Sequence, residues 1–514
     1  MRNIHMGLIV GAVCCIGLVA GMLIWHFTDN VHQNKKLVPA NVKWLPEREL
    51  RGVWVATVNN IDWPDTQGDS TENQKKQMTN ILDLMVELNL NALFFQIRPV
   101  GDAFYNSNIE PWSKYLTGEQ GKAPTPPYDP LEFVVEEGHK RNIQVHAWFN
   151  PYRANMASNT EGLAPNHMAH KFQNYTYPYG KYLWMDPGAS EVTDHLINVV
   201  TDVLNRYDID GVHMDDYFYP YPVRNVTFPD NETYQNFLNT TGRNMTLEDW
   251  RRRNIDQMVV RLFHTIRNNY DNVTFSISPF GIYRPGHPEG MPNSIKGFDP
   301  YSNLYADAKR WLQSGWVDIL IPQIYWEIKP PDQSYPVILD WWLKASNERR
   351  GRHVYAGNAL YKLVQNNWNA SEILQQIQVS RDEATSKLKG SLGNVHFSFK
   401  NLKHNHKNIT SALKGGPYRD ICLPPTLPHF PDSAPAPPRG IHMMTNRQIM
   451  WSHDTAGTVR SWTVYQRKGN TFVLYAVLNR ATNRIDVKDP GIYAVKAMNK
   501  ISVESSESSI EVKP

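Results

Sequence analysis

Residues 207–222 read Y-D-I-D-G-V-H-M-D-D-Y-F-Y-P-Y-P. The run 211–214 has the composition of a short buried strand. It breaks into Asp215, Asp216 and a series of aromatics and prolines. Two adjacent carboxylates at the end of an apolar strand are costly, because buried charge must be paired or solvated. Carboxyl groups in such a setting transfer protons or attack electrophiles. The plainer reading is an Asp that caps the loop or pairs with an Arg. Seven other segments end in a similar way, which favours the chemical reading.

Those segments are the elements that must position the pair. Apolar strand-like runs occur at 52–58, 92–97, 144–149, 211–214, 273–278, 317–324, 353–359 and 395–399. Amphipathic stretches such as 74–88, 130–141, 190–206 and 250–268 lie between them. Strands alternating with helices predict parallel βαβ units. Eight units predict an α/β fold, a (β/α)₈ TIM barrel over residues 50–414, whose catalytic groups sit at the C-terminal strand ends. The doubly wound alternative carries a Gly-rich phosphate turn after its first strand; residues 56–61 have none. Side chains alternate faces along a strand. Gln96 and Arg98 then share one face, as do His146, Trp148 and Asn150; His213, Asp215 and Tyr217; and Gln323, Tyr325 and Glu327. Polar groups from four strands converge on one mouth.

Residues 415–440 contain eight prolines and read as a stiff linker. Alternating runs at 459–466, 471–477, 483–487 and 491–498 follow, so residues 441–514 predict a small β-sandwich of the fibronectin type III kind. At the other end, residues 7–25 form an uncharged apolar run long enough to span a bilayer. Residues 1–6 read as a cytosolic tail, 7–25 as a transmembrane signal anchor and 26–49 as a polar tether. The rival is a signal peptide cleaved near Ala20 and Gly21. Cys14 and Cys15 lie in the apolar run and Cys422 is the only other cysteine, so a disulfide framework and a thiolate metal site are excluded. Eight N-x-S/T sequons, at Asn174, Asn225, Asn231, Asn239, Asn244, Asn272, Asn369 and Asn408, agree with a eukaryotic secretory route and an extracellular or lumenal barrel. The net charge of +3 and the lack of a basic run give no nucleic-acid footprint. No cofactor is implied, His146 and His213 lack a third metal ligand, and the oligomeric state stays open.

The motifs R-G-V-W-V-A-T-V-N-N-I-D-W-P from Arg51, F-Q-I-R-P-V-G-D-A-F-Y from Phe95, H-A-W-F-N-P-Y-R from His146, D-G-V-H-M-D-D-Y-F-Y-P from Asp210, S-P-F-G-I-Y-R-P-G from Ser278 and P-Q-I-Y-W from Pro322 together resemble the glycosyl hydrolase-like 10 family. The likeness runs in order over about residues 49–424. It implies a TIM-barrel glycosidase; bacterial members act on peptidoglycan glycan strands. The apolar N-terminus with its sequons, and a sandwich placed after the barrel, depart from the usual bacterial member.

Glycoside hydrolysis normally uses two carboxyl groups flanking the scissile bond. D-G-V-H-M-D also resembles the fourth strand of retaining-glycosidase barrels, which implies Asp215 as nucleophile or base with His213 orienting it. Asp216 is then a second catalytic carboxylate or a structural cap. The fifth strand ends in Ser278, Pro279, Phe280 and Gly281, with no carboxylate. The acid is therefore expected at Glu327, whose aromatic setting beside Trp326 would raise its pKa. Asp102 and Glu110 come next; the plainer readings are an Asp102–Arg98 pair and a solvated Glu110. For saccharide binding, Trp63, Trp148, Tyr152, Tyr217, Tyr219, Tyr325 and Trp326 offer ring faces, while Asp62, Asn150, Arg153, Gln323, His146 and His213 offer hydrogen bonds. Arg98 and Arg153 suit an acidic substituent. The empty fifth strand keeps a second reading open, a glycan-binding protein without catalysis.

Overall fold

The computed structural model describes residues 37–38, 42–347, 351–387, 392–430, 434–453 and 457–514. The expected tail and anchor, residues 1–25, lie outside them, as does most of the tether. Among the described residues no helix is long and apolar enough to cross a membrane. The chain forms two compact units. One comprises residues 47–433 with 500–502; the other comprises the described residues up to 46, then 434–499 and 503–514.

The larger unit is a closed parallel barrel. Its strands are β1 (Leu50–Val55), β2 (Ala92–Arg98), β3 (Gln144–Phe149), β4 (Gly211–Met214), β5 (Thr274–Ile277), β6 (Ile319–Leu320), β7 (His353–Val354 and Ala356–Ala359) and β8 (Gly393–Phe397). Each pairs in parallel with the next, and β8 returns to β1. The two outermost pieces of the sheet are the two pieces of β7, separated by Tyr355 alone, so the sheet closes on itself.

Helices α1 (Thr71–Glu87), α2 (Pro130–Lys140), α3 (Ser190–Arg206) and α4 (Leu247–Asn269) follow the first four strands. Ser70 starts α1 by accepting the Asn73 N–H, and Met78, Ile81, Leu82 and Met85 recur at helical spacing on its buried face. Asp129 caps α2 ahead of Pro130. Gly138 lets α2 approach the sheet, since a Cβ there would lie 2.8 Å from Val145 Cγ2. The outward strand residues, such as Val145, Ala147, Phe149, Val212 and Met214, share one apolar cluster with these helices. Each fully buried Val, Met or Phe side chain of this kind contributes about 1.5–3 kcal/mol.

The inward residues fill the barrel with rings. Phe94 stacks on His146 at 4.6 Å and meets the edge of His213 at 4.8 Å. Gly211 makes room: a Cβ there would fall 2.2 Å from His146 Nδ1.

The proline-rich stretch differs from a free linker over most of its length. Tyr418, Cys422, Leu423, Leu427 and Phe430 are buried, and the unit boundary falls at 433–434. Proline denies this stretch a regular ladder but leaves its carbonyls as acceptors. Asn91 donates to the Cys422 carbonyl, Arg51 to that of Asp420, and the Glu49 N–H to that of Leu423.

The smaller unit holds two sheets, antiparallel except at one edge, sharing a core of Ile449, Trp451, Trp462, Val464 and Tyr493 among others. Part of the expected tether belongs to it. Residues Lys43–Leu45 form a strand that pairs in parallel with residues 471–473, and Trp44 stacks on Phe472 at 4.8 Å.

Candidate active site

Strand β4 ends at Met214, so the alternation of faces lapses just where the two carboxylates begin. Asp215 continues the inward face. Asp216, freed from the strand, also turns into the mouth. Both line a cavity of about 460 Å³, with Trp148, Arg153, Tyr217, Tyr221, Gln323, Tyr325, Trp326 and Lys362 among its other walls. Among the described lining residues these two Asp side chains are the only carboxylates.

Each has its own donors. Asn150 Nδ2 donates to Asp215 Oδ2 at 2.5 Å, and the Tyr217 N–H reaches Asp215 Oδ1 at 3.4 Å. Tyr221 Oη donates to Asp216 Oδ2, and Gln323 Nε2 to Asp216 Oδ1 at 3.0 Å. Burial and the neighbouring Asp216 charge push Asp215 up to about 7, against the pull of Arg153 and Asn150. Burial also raises Asp216, opposed by Tyr221 and Gln323. Two carboxylates this close release their protons as a pair.

The imidazoles lie beneath the pair. His213 Nε2 accepts the Trp54 indole N–H at 3.0 Å, which leaves Nδ1 to carry the proton toward Ser276 Oγ at 2.8 Å. Burial, with His146 beside it, holds His213 well below its ordinary pKa; burial takes His146 down to about 4. Both are neutral rings of the barrel interior. Asn150, and not His213, orients Asp215.

Several other expected residues are placed away from the cavity. Glu327 is exposed and does not line it, so the expected apolar setting is missing. Past β6 only an isolated bridge at Gln323 remains before the chain bends at Trp326, and parity past a strand end no longer sets direction. Asp102 is fully buried, accepts from Gln120 Nε2 at 3.1 Å and is raised by burial to about 6, but it is outside the cavity wall and makes no ion pair with Arg98. Arg98 pairs instead with Glu110 at 2.5 Å, and His195 joins the same carboxylate at 2.9 Å. Burial favours the neutral Glu110 acid, but the Arg98 charge overrides it and holds the carboxyl well below its usual range. The register against β3 slips between Gln96 and Arg98, which redirects the arginine. Asp62 accepts from the Ala56 N–H, Ser398 Oγ and the Lys400 N–H, tying the ends of β1 and β8 together. Trp63 donates to the Gln74 carbonyl in the helix layer, and Tyr152 and Tyr219 are buried in the apolar cluster.

Reasoning from sequence missed Trp54, Tyr221, Phe280, Phe397 and Lys362, which all line the cavity. Tyr221 was within reach, since it sits in the aromatic run after Asp216. Gln96 was visible by parity. Lys362 carries no sequence signal: it opens a four-residue helix after β7.

The sequence model of the family described as Glycosyl hydrolase-like 10 matches residues 49–373. The Bacillus subtilis glycosyl hydrolase YngK is 40% identical over 411 residues, covering 78% of this chain and 78% of that protein. The glycosyl hydrolase DigH of Escherichia coli strain K12 is 35% identical over 330 residues, 61% of this chain and 74% of that protein. Among solved structures, the PgaB (BpsB) glycoside hydrolase domain from Bordetella bronchiseptica covers 72% of this chain and 98% of its own at 12% identity, with a TM-score of 0.45.

Proposed function

The chain belongs to the glycosyl hydrolase-like 10 family, and from that premise we propose that its barrel hydrolyses O-glycosidic bonds within a glycan, with Asp215 and Asp216 as the working carboxyls. The observation that carries this reading is the pair itself: two buried carboxyl groups, each with separate donors, and the only ones among the described residues that line an aromatic-walled cavity.

Pairs whose surroundings push their pKa values apart divide acid from base. Asp215, raised to about 7, holds the shared proton near neutrality. It gives that proton to the glycosidic oxygen as the C–O bond breaks. Asp216 remains the carboxylate, held by Tyr221 and Gln323, and it faces the anomeric carbon directly or through a water. The water supplies hydroxyl to the anomeric carbon and its second proton returns to the pair. This differs from the expectation from sequence, which has Asp215 as nucleophile or base and the acid at Glu327. The aromatic walls Trp148, Tyr217 and Trp326 suit the apolar faces of sugar rings, with Gln323 and Arg153 as placed polar groups.

The substrate class we propose is a glycan containing amino sugars, on the strength of the family likeness. We further propose that the barrel works outside the cytosol. The apolar run at 7–25 supports this, and all eight sequon asparagines are exposed. A mobility shift on enzymatic deglycosylation of protein from a secretory host tests that placement.

The central test is hydrolysis by the full-length chain of denuded peptidoglycan strands, chitooligosaccharides and hyaluronan, beside Asp215→Asn and Asp216→Asn. Turnover abolished by both substitutions in folded protein supports the assignment. Saccharide binding without turnover favours the non-catalytic reading, which the absence of Glu327 from the wall keeps in play.

A further inference from the structure

The cavity wall carries a cation that the described carboxylates leave unpaired. Lys362 is half-buried; its Nζ donates to the Tyr325 carbonyl and lies 5.2 Å from the Trp368 ring centroid. It forms no ion pair among the described residues. An ammonium has three donors, so those not spent on Tyr325 remain for a ligand. Burial lowers its pKa, and the exposed Glu327 is the charge that opposes this. Holding a cation in a partly desolvated wall is unfavourable unless an anion joins it.

The other wall cation is already committed. Arg153 Nε and Nη2 donate to the Pro99 carbonyl at 3.3 and 3.2 Å, and Nη2 donates to Asn150 Oδ1 at 3.0 Å. Its guanidinium lies 4.8 Å from the Tyr217 ring centroid, and its charge favours ionisation of both Asp215 and Asp216. When the carboxyl pair holds one proton, its remaining negative charge is matched by Arg153. Lys362 then leaves the cavity net positive.

We infer that Lys362 is a specificity residue that holds a carboxylate borne by the saccharide, so that the preferred glycan is acidic. This rests on the proposed glycan-binding role of the cavity and adds the charge of its ligand. A lactyl ether and a uronate both present that chemistry.

The test is calorimetric binding to full-length Asp215→Asn protein, which leaves the ligands uncut. The probes are denuded peptidoglycan strands and hyaluronan oligosaccharides, each beside its carboxyl-reduced form. With Lys362 present, at least one native probe should bind about tenfold or more tightly than its reduced form, as a charge-assisted contact gives. Lys362→Met should bring that ratio below about threefold, and Lys362→Arg should restore most of it. Which native probe shows the preference tells lactyl from uronate. Equal binding of native and reduced forms, or a ratio indifferent to Lys362→Met, overturns the inference. So does failure of all four probes to bind. Hydrolysis of the same glycans by the wild-type chain is scored separately. A carboxylate preference without turnover sinks the catalytic reading alone, and turnover without the preference sinks this one alone.

Discussion

Asn150 presents its amide nitrogen, and not its oxygen, to Asp215, and the reason lies one residue further back. Gln96 Oε1 accepts the Thr57 and Val58 N–H groups, each at 2.9 Å. Gln96 must therefore turn its Nε2 outward, where it donates to Asn150 Oδ1 at 2.5 Å. Arg153 donates to the same oxygen at 3.0 Å. Asn150 Oδ1 is thus fully engaged, and Nδ2 faces Asp215 at 2.5 Å. Backbone N–H groups after β1 set the orientation of a carboxylate after β4. Such buried networks fix one geometry when every member is satisfied.

Asn150→Asp breaks this relay with almost no change of shape. Asp215 loses a donor to its ionised form and gains a negative neighbour, and both changes raise its pKa. If Asp215 is the acid, the alkaline limb of the pH–rate profile follows it upward. A hydrogen bond to a charged group is worth about 1.5–3 kcal/mol, so the limb should move by about one to two pH units. The check is kcat/KM against pH for both proteins. An unmoved alkaline limb would show that Asn150 does not govern the proton of Asp215.

Stability should also depend on that proton. The folded pKa of Asp215 is about 7, whereas an unfolded Asp titrates near 3.9. Between those values the folded chain holds a proton that the unfolded chain has released, so the contribution of this group falls as pH rises through the window. Asp215→Asn removes the titration. Its Tm should match the wild type near pH 4 and exceed it increasingly up to pH 8. A Tm difference constant across this range would mean that Asp215 is not perturbed in the folded protein.

The barrel was legible because eight strand-like runs, each mostly apolar, alternate with helices whose caps and periodicity are strong, as with Ser70 before α1 and Asp129 before α2. The pair at 215–216 was legible because two charges ending an apolar strand have few explanations. Direction was harder to read. Parity placed Asn150 correctly, since β3 is regular up to Phe149. It failed at Arg98, where the register slips, and at Glu327, beyond a strand only two residues long. Asp62 looked like a binding group because a carboxylate after β1 can face the mouth. Its partners Ser398 and Lys400 are more than 330 residues away in sequence, and no local pattern announces them. Composition alone made residues 415–440 a linker; the Asn91 and Arg51 donors that hold the carbonyls of Cys422 and Asp420 lie far upstream, and no local pattern announces them.

Asp62 therefore separates a structural from a binding role. It accepts three hydrogen bonds at the junction of β1 and β8, and burial raises it to about 6 despite them. Asp62→Ala strands those donors and should cost roughly 2–4 kcal/mol in urea unfolding. Because Asp62 does not line the cavity, the saccharide Kd of the folded variant should stay within about twofold, well under 1 kcal/mol. Loss of binding with unchanged stability would return Asp62 to the binding site.

Tyr221 offers the counterpart to Asn150 on the other carboxylate. Its hydroxyl donates to Asp216, and its ring stacks on Phe298 at 5.4 Å, so Tyr221→Phe removes the donor while the ring keeps its contacts. Asp216 then loses one of the groups that oppose its burial, and its pKa rises further. If Asp216 is the base, it must be ionised to act, and the acid limb of kcat/KM moves to higher pH. The limbs belong to the coupled pair, so both shift somewhat. The assignment rests on which moves more: the acid limb for Tyr221→Phe, the alkaline limb for Asn150→Asp. At a fixed pH just below the wild-type acid limb, Tyr221→Phe should lose about tenfold in kcat/KM, the equivalent of one pKa unit. The reverse pattern, with Tyr221→Phe moving the alkaline limb more, would exchange the two roles and make Asp215 the base.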